Sequence, residues 1–281
     1  MQCFLIITKF IPKICSNSLC RLTPLIMRSV ATSSTDETVD LAYSSYEYTD
    51  KTSSKPPLII LHALLGSKNN WIDHTYFHMA ADIRKLLQKL EVPKVSVFGH
   101  SMGGITAMVF SLLYSDLVSS LIVEDISPVQ TSPQIFTILN LLDAMSTMSV
   151  KPDISMSKAR ELVDEHLKSV TLDINIRNYL ISNLVQRDIG YTWQVNLAAL
   201  KENFKKHIAN FPYNLKGFQY VGPTLFIGGT LSIYIGKNDL QTIKEYFPQA
   251  ELIYIEDAGH WIHIQQPDKF HEVVCKFLAE N

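Results

Sequence analysis

The chain has 281 residues, 47% of them hydrophobic and 19% charged, enough to bury a sizeable apolar core in one large domain or two small ones. Its formal charge of −2, from 25 Lys and Arg against 27 Asp and Glu, offers no basic surface for a phosphate backbone, which argues against nucleic acid as a partner. No apolar run approaches the roughly 20 residues that a membrane-spanning helix needs.

The first 35 residues differ from the rest. Between Met1 and Thr35 stand Lys9, Lys13, Arg21 and Arg28, several Ser and Thr, and no acidic residue before Asp36. Basic, hydroxyl-rich, acid-free leaders direct import into mitochondria, so residues 1–45 read as a transit peptide and linker and the location as the matrix. A secretory signal fits less well, because the apolar "CFLII" is short and precedes its basic residues. Cys3, Cys15 and Cys20 lie in this leader, which leaves Cys275 alone downstream and argues against a disulfide framework.

Beyond the leader, "SSYEYTD" (44–50) and "PLIILHA" (57–63) predict strands, "HTYFHMAADIRKLLQKLE" (74–91) an amphipathic helix, and "KVSVFGH" (94–100) a buried strand. A helix follows from Met102 to about Leu117, then a strand in "SSLIVED" (119–125), with Pro128 closing the segment. From 132 to 211 the apolar periodicity reads as helical throughout. "PTLFIGG" (223–229) and "AELIYIED" (250–257) return as strands, and "PDKFHEVVCKFLAE" (267–280) closes as a helix. Strands alternating with helices predict an α/β fold with a mostly parallel central sheet covered on both faces. The core then falls into 46–131 and 212–281, with a helical lid at 132–211. Met145, Met148 and Met156 of that lid suit an adaptable acyl pocket, or serve only to pack it.

"FGHSMGGITA" (98–107) places Ser101 between Gly99 and Gly103 where a strand turns into a helix. A GxSxG pentapeptide in that context strains the serine backbone, exposes its hydroxyl and sets it at a helix N-terminus that favours an oxyanion. A serine needs a base, and "DAGHWIH" supplies His260 between the last strand and the closing helix, with His263 three residues on. The acid stays open at this level. The strand ending at Gly229 leads to Ser232 and no carboxylate before Asp239, which reads as a helix start. Asp125, at the carboxyl end of the strand after the Ser101 helix, is the favoured alternative and keeps the chain order Ser, Asp, His. For the oxyanion, Met102 supplies one backbone N–H and the turn "HALLGS" (62–67) supplies the other from Leu64.

"LHALLGSKNNW", "HTYFHMAADI", "VSVFGHSMGG", "VEDISPV", "VNLAAL", "GPTLFIGG" and "AGHWIH" together resemble the α/β-hydrolase family, and within it the mitochondrial members and their bacterial esterase relatives, from about Leu58 to the C-terminus. The resemblance implies serine hydrolysis of carboxylic esters, with acylglycerols such as diacylglycerol as lipid substrates. It further implies mitochondrial residence and association with the 2-oxoglutarate dehydrogenase complex. No cofactor and no metal is implied. The family's aspartate in "DISPV" corresponds to Asp125.

One departure is large. After Trp71 the family continues through a further helix and strand, whereas this chain passes through Ile72 and Asp73 to His74. One internal strand and helix, roughly 35 residues at typical lengths, are therefore expected to be missing. Only one helix lies between the strands ending at His62 and beginning at Lys94, although each parallel crossover needs its own. A lost internal strand must be closed over, or it leaves buried backbone groups unpaired at about 1–3 kcal/mol each. Two readings follow: an active ester hydrolase, or a non-catalytic hydrolase-fold protein that binds a partner such as the dehydrogenase complex.

Overall fold

Buried apolar runs and 3.6-residue periodicities alternate along the chain, and the elements follow them. A computed structural model describes residues 5–8, 25–27, 41, 43–46, 56–64, 75–129, 137–188 and 190–281. In chain order the elements are β1 Leu5–Thr8, β2 Leu25–Met27, β3 Tyr43–Tyr46, β4 Leu58–Leu61, α1 Tyr76–Lys89, β5 Val95–His100, α2 Met102–Leu113, β6 Val118–Glu124, α3 Thr137–Thr147, α4 Met156–Leu167, α5 Ile174–Ile181, β7 Leu184–Arg187, β8 Gly190–Trp193, α6 Leu197–Asn203, β9 Thr224–Gly229, α7 Leu240–Tyr246, β10 Ala250–Ile255, α8 Ile262–Gln265 and α9 Pro267–Glu280. The chain divides into two compact units, one containing Pro133–Asn210 and the other the central sheet with its flanking helices.

The sheet has eight strands in the order β10-β9-β6-β5-β4-β1-β3-β2. From β4 to β10 every neighbouring pair is parallel. Strands buried on both faces read as continuous apolar runs, and all six residues of β5 and all six of β9 are buried. Phe98, Ile122, Leu225 and Ile227 form one face of the core with Ile262 and Leu278, and Phe270 and Phe277 of α9 pack against them. α9 begins with Pro267 in its first turn, where the missing N–H costs nothing. The other face is covered by α2, whose Gly104 lies against Val123 and Ile126.

The expected gap does not open beside β5. Leu58–Leu61 pairs directly with Ser96–Gly99, and among the described residues α1 is the helix of that crossover. The far edge of β4 is taken by β1, which runs antiparallel with Leu5 opposite Leu61 and Thr8 opposite Leu58. β3 then pairs parallel with β1 and antiparallel with β2. A segment read as a leader thus supplies strands to the sheet. Of the strand expected over 44–50, the part from 47 lies outside the described residues.

Two further expectations are corrected. The segment 132–211 is not helical throughout: β7 and β8 form an antiparallel hairpin with Leu184 opposite Trp193. Its Val185, Tyr191, Thr192 and Trp193 favour strands because their side chains fit a pleated, half-buried surface. Trp193 Nε1–H also donates to the Met145 carbonyl at 2.8 Å, tying β8 to α3. Cys275 on α9 is disulfide-bonded, where the sequence reading left it alone beyond the leader and argued against a disulfide framework. Among the described residues no helix is long and apolar enough to cross a membrane.

Deleting residues 1–24 removes β1 and exposes the outer edge of β4. Two or more lost ladder bonds, at about 1 kcal/mol each, are expected to lower the melting temperature by about 5 °C. Differential scanning calorimetry checks this, and an unchanged melt shows that β4 serves as an edge strand.

Candidate active site

β5 ends at His100 and the chain turns into α2 at Ser101, whose backbone angles are φ 54° and ψ −119°. A non-glycine residue held there stores about 1–3 kcal/mol of strain, so its surroundings must fix it. The Ser101 N–H donates to the Glu124 carbonyl at 3.0 Å, and the Ser101 carbonyl accepts from Ile105 N–H at 3.0 Å. Both flanking glycines are required by close approach. A Cβ on Gly99 would stand 2.3 Å from the Gly103 carbonyl oxygen, and one on Gly103 would stand 2.2 Å from that of Leu61. The second contact seats the first turn of α2 against the turn that follows β4. That turn holds Leu64, and α2 opens with Met102; both are buried. The first N–H groups of a helix have no partner within it, so Met102 N–H suits the oxyanion role expected of it.

Asp125 repeats the device on the next strand. It follows β6 at φ 53°, and its N–H donates to the Ile227 carbonyl at 2.8 Å. Its carboxylate is fully buried and accepts from three places. Oδ2 accepts from His260 Nδ1 at 2.7 Å and from the Ser232 hydroxyl, while Oδ1 accepts from Gly229 N–H at 3.2 Å. The Ser232 hydroxyl in turn accepts from Tyr234 N–H at 3.2 Å. Asp239 is occupied elsewhere, accepting from the Ser127 hydroxyl and from Gly236 N–H, each at 2.8 Å. The residue after β9 that stands where an acid was sought is therefore a donor to the acid on β6.

A carboxylate can only accept, so His260 carries its proton on Nδ1 and leaves Nε2 as a base. The imidazole is 13% exposed and lies under the Tyr234 ring, with centroids 4.1 Å apart. Burial, with the Asp125 charge nearby, pushes the Tyr234 hydroxyl up from its ordinary pKa. His100, the residue before Ser101, packs its ring 4.7 Å from that of His260, and its Nε2–H donates to the His260 carbonyl at 2.8 Å.

Behind this group sits a second one that the sequence did not single out. Glu124, directly before Asp125, is fully buried and binds His263. Among the described residues, His100, Glu124 and His263 also form a cluster whose donor atoms lie within 4.8 Å of one another. Burial pushes the His100 pKa down to about 3, against the pull of Glu124. For Glu124, burial alone would raise the carboxyl, but His100 and His263 outweigh it and hold it below its ordinary value. The available signal was positional: a polar residue directly precedes each of Ser101 and Asp125 at a strand end.

The pattern of the alpha/beta hydrolase fold matches residues 72–267. The chain belongs to the α/β-hydrolase family. It is 34% identical over 271 residues to the sn-1-specific diacylglycerol lipase ABHD11 of Xenopus tropicalis, covering 85% of this chain and 82% of that protein. It is 34% identical to the protein of the same name in Mus musculus, covering 84% of this chain and 85% of the relative. A solved marine microorganism esterase superposes with a TM-score of 0.69 at 32% identity, over 80% of this chain and 96% of that one.

Replacing Asp125 by Asn is expected to lower kcat by about a thousandfold or more, because the amide cannot hold the His260 tautomer. Ser232→Ala removes one charge-assisted bond and is expected to cost about tenfold, whereas Asp239→Asn keeps activity near that of the unaltered chain. Steady-state turnover of a p-nitrophenyl ester checks all three, and a D239N loss as deep as that of D125N contradicts the assignment of the acid.

Proposed function

We propose that the chain is a serine hydrolase that cleaves carboxylic esters of acylglycerol lipids such as diacylglycerol, through an acyl-enzyme. The observation that carries this reading is the 2.7 Å bond from His260 Nδ1 to the buried Asp125 carboxylate, which leaves Nε2 ready to take a proton. Ser101 attacks the ester carbonyl while His260 removes its proton, and Asp125 stabilises the imidazolium. The oxyanion is held by the N–H groups of Leu64 and Met102. Collapse of the tetrahedral intermediate expels the alcohol with the proton from His260. Water then enters by the same base and releases the fatty acid and free Ser101.

Ester hydrolysis agrees with the names of the relatives, lipases and an esterase, and the diacylglycerol preference rests on those names alone. Residence in the mitochondrial matrix rests on the acid-free basic leader. Association with the 2-oxoglutarate dehydrogenase complex rests on the family resemblance and belongs to the same reading. Import that removes the leader also removes β1, so processing and the outer edge of β4 are coupled.

Full-length protein is expected to react with a fluorophosphonate probe and to release fatty acid from diacylglycerol, and Ser101→Ala abolishes both. In cells the labelled band is expected in the matrix fraction. Labelling that survives S101A contradicts the nucleophile, and folded protein that binds the dehydrogenase complex without labelling supports the non-catalytic reading instead.

A further inference from the structure

The mechanism above leaves the buried charge next to Asp125 unused. Glu124 is fully buried, and an isolated carboxylate there would be costly. Its oxygens accept from His263 Nδ1 at 2.8 and 2.9 Å and from His263 N–H at 3.0 Å. Its backbone carbonyl holds the strained Ser101 through the 3.0 Å bond from Ser101 N–H. Across the sheet its register partner is His100, which grips the His260 carbonyl.

The geometry has a simple consequence. Asp125 at φ 53° breaks the alternation of the strand, so neighbours 124 and 125 both reach the loop after β10. Asp125 holds His260 at one end of "HWIH" and Glu124 holds His263 at the other. We infer that Glu124 is a positioning residue for the general base, fixing the His260 loop through His263 while its carbonyl fixes Ser101. This rests on the serine-hydrolase reading and extends it: the relative placement of nucleophile and base passes through one residue that touches no substrate.

The test compares Glu124→Gln, His263→Leu and His263→Asn in the full chain. Asparagine keeps an amide N–H near the place from which Nδ1 donates, and leucine does not. Active sites are counted with a fluorophosphonate, and kcat and KM for p-nitrophenyl butyrate are measured per counted site. E124Q and H263L are expected to lose about tenfold or more in kcat with KM little changed, since small misplacements of a catalytic group carry such losses. H263N is expected to recover most of the loss, and E124Q/H263L to be no worse than E124Q alone.

An unchanged kcat per counted site, with only the yield of folded protein reduced, overturns the inference and makes the cluster purely structural. So does an H263N variant no better than H263L, which also decides the matter where E124Q fails to fold. Absence of S101-dependent labelling in the unaltered chain overturns the serine-hydrolase reading and this inference with it. Labelling with unimpaired variants overturns this inference alone.

Discussion

The buried Asp125 carboxylate is the interaction on which the rest of the site depends. Three donors from two stretches converge on it: Gly229 at the end of β9 and Ser232 in the loop beyond, and His260 after β10. Without them the charge would sit unpaired in the interior, at a cost of several kcal/mol. Their convergence depends on strand order. With β5, β6, β9 and β10 adjacent and parallel, four carboxyl ends share one edge, and loops far apart in sequence meet there.

Strain and polarity are organised together at that edge. Ser101 and Asp125 both hold positive φ, and each follows a buried polar residue whose backbone or side chain fastens a neighbour. Ser101 depends on the Glu124 carbonyl, and His260 depends on His100 and Asp125. The close packing of Gly103 on Leu61 then sets the turn after β4 against α2. Strained backbone persists only where its surroundings over-determine it, and here the same bonds that fix the backbone also fix the segments that carry Ser101 and His260.

What the sequence made legible follows the range of the interaction that decides it. The elbow at Ser101 and the turn into α2 are local, and the pentapeptide with its flanking strand and helix was sufficient to read them. His260 was legible by its place between a strand and a closing helix. The acid was legible only as a preference for Asp125 over the loop after Gly229, because the contact between Asp125 and His260 spans 135 positions and is set by the order of strands in the sheet. Glu124 escaped for a related reason: its partner lies 139 positions away. The β7–β8 hairpin was hidden by the helical rhythm on either side of it. β1 was hidden by its composition, which reads as a targeting signal whether or not the segment also pairs with β4.

The central claim is that Asp125 fixes the tautomer and orientation of His260. Nitrogen NMR of the full chain with isotope-labelled histidine, with His260 assigned by its loss in His260→Ala, tests this most directly. The account predicts a neutral His260 with its proton on Nδ1, the signal of that proton being lost in Asp125→Asn. A His260 proton on Nε2, or an Nδ1–H signal that is unchanged in D125N, would contradict it.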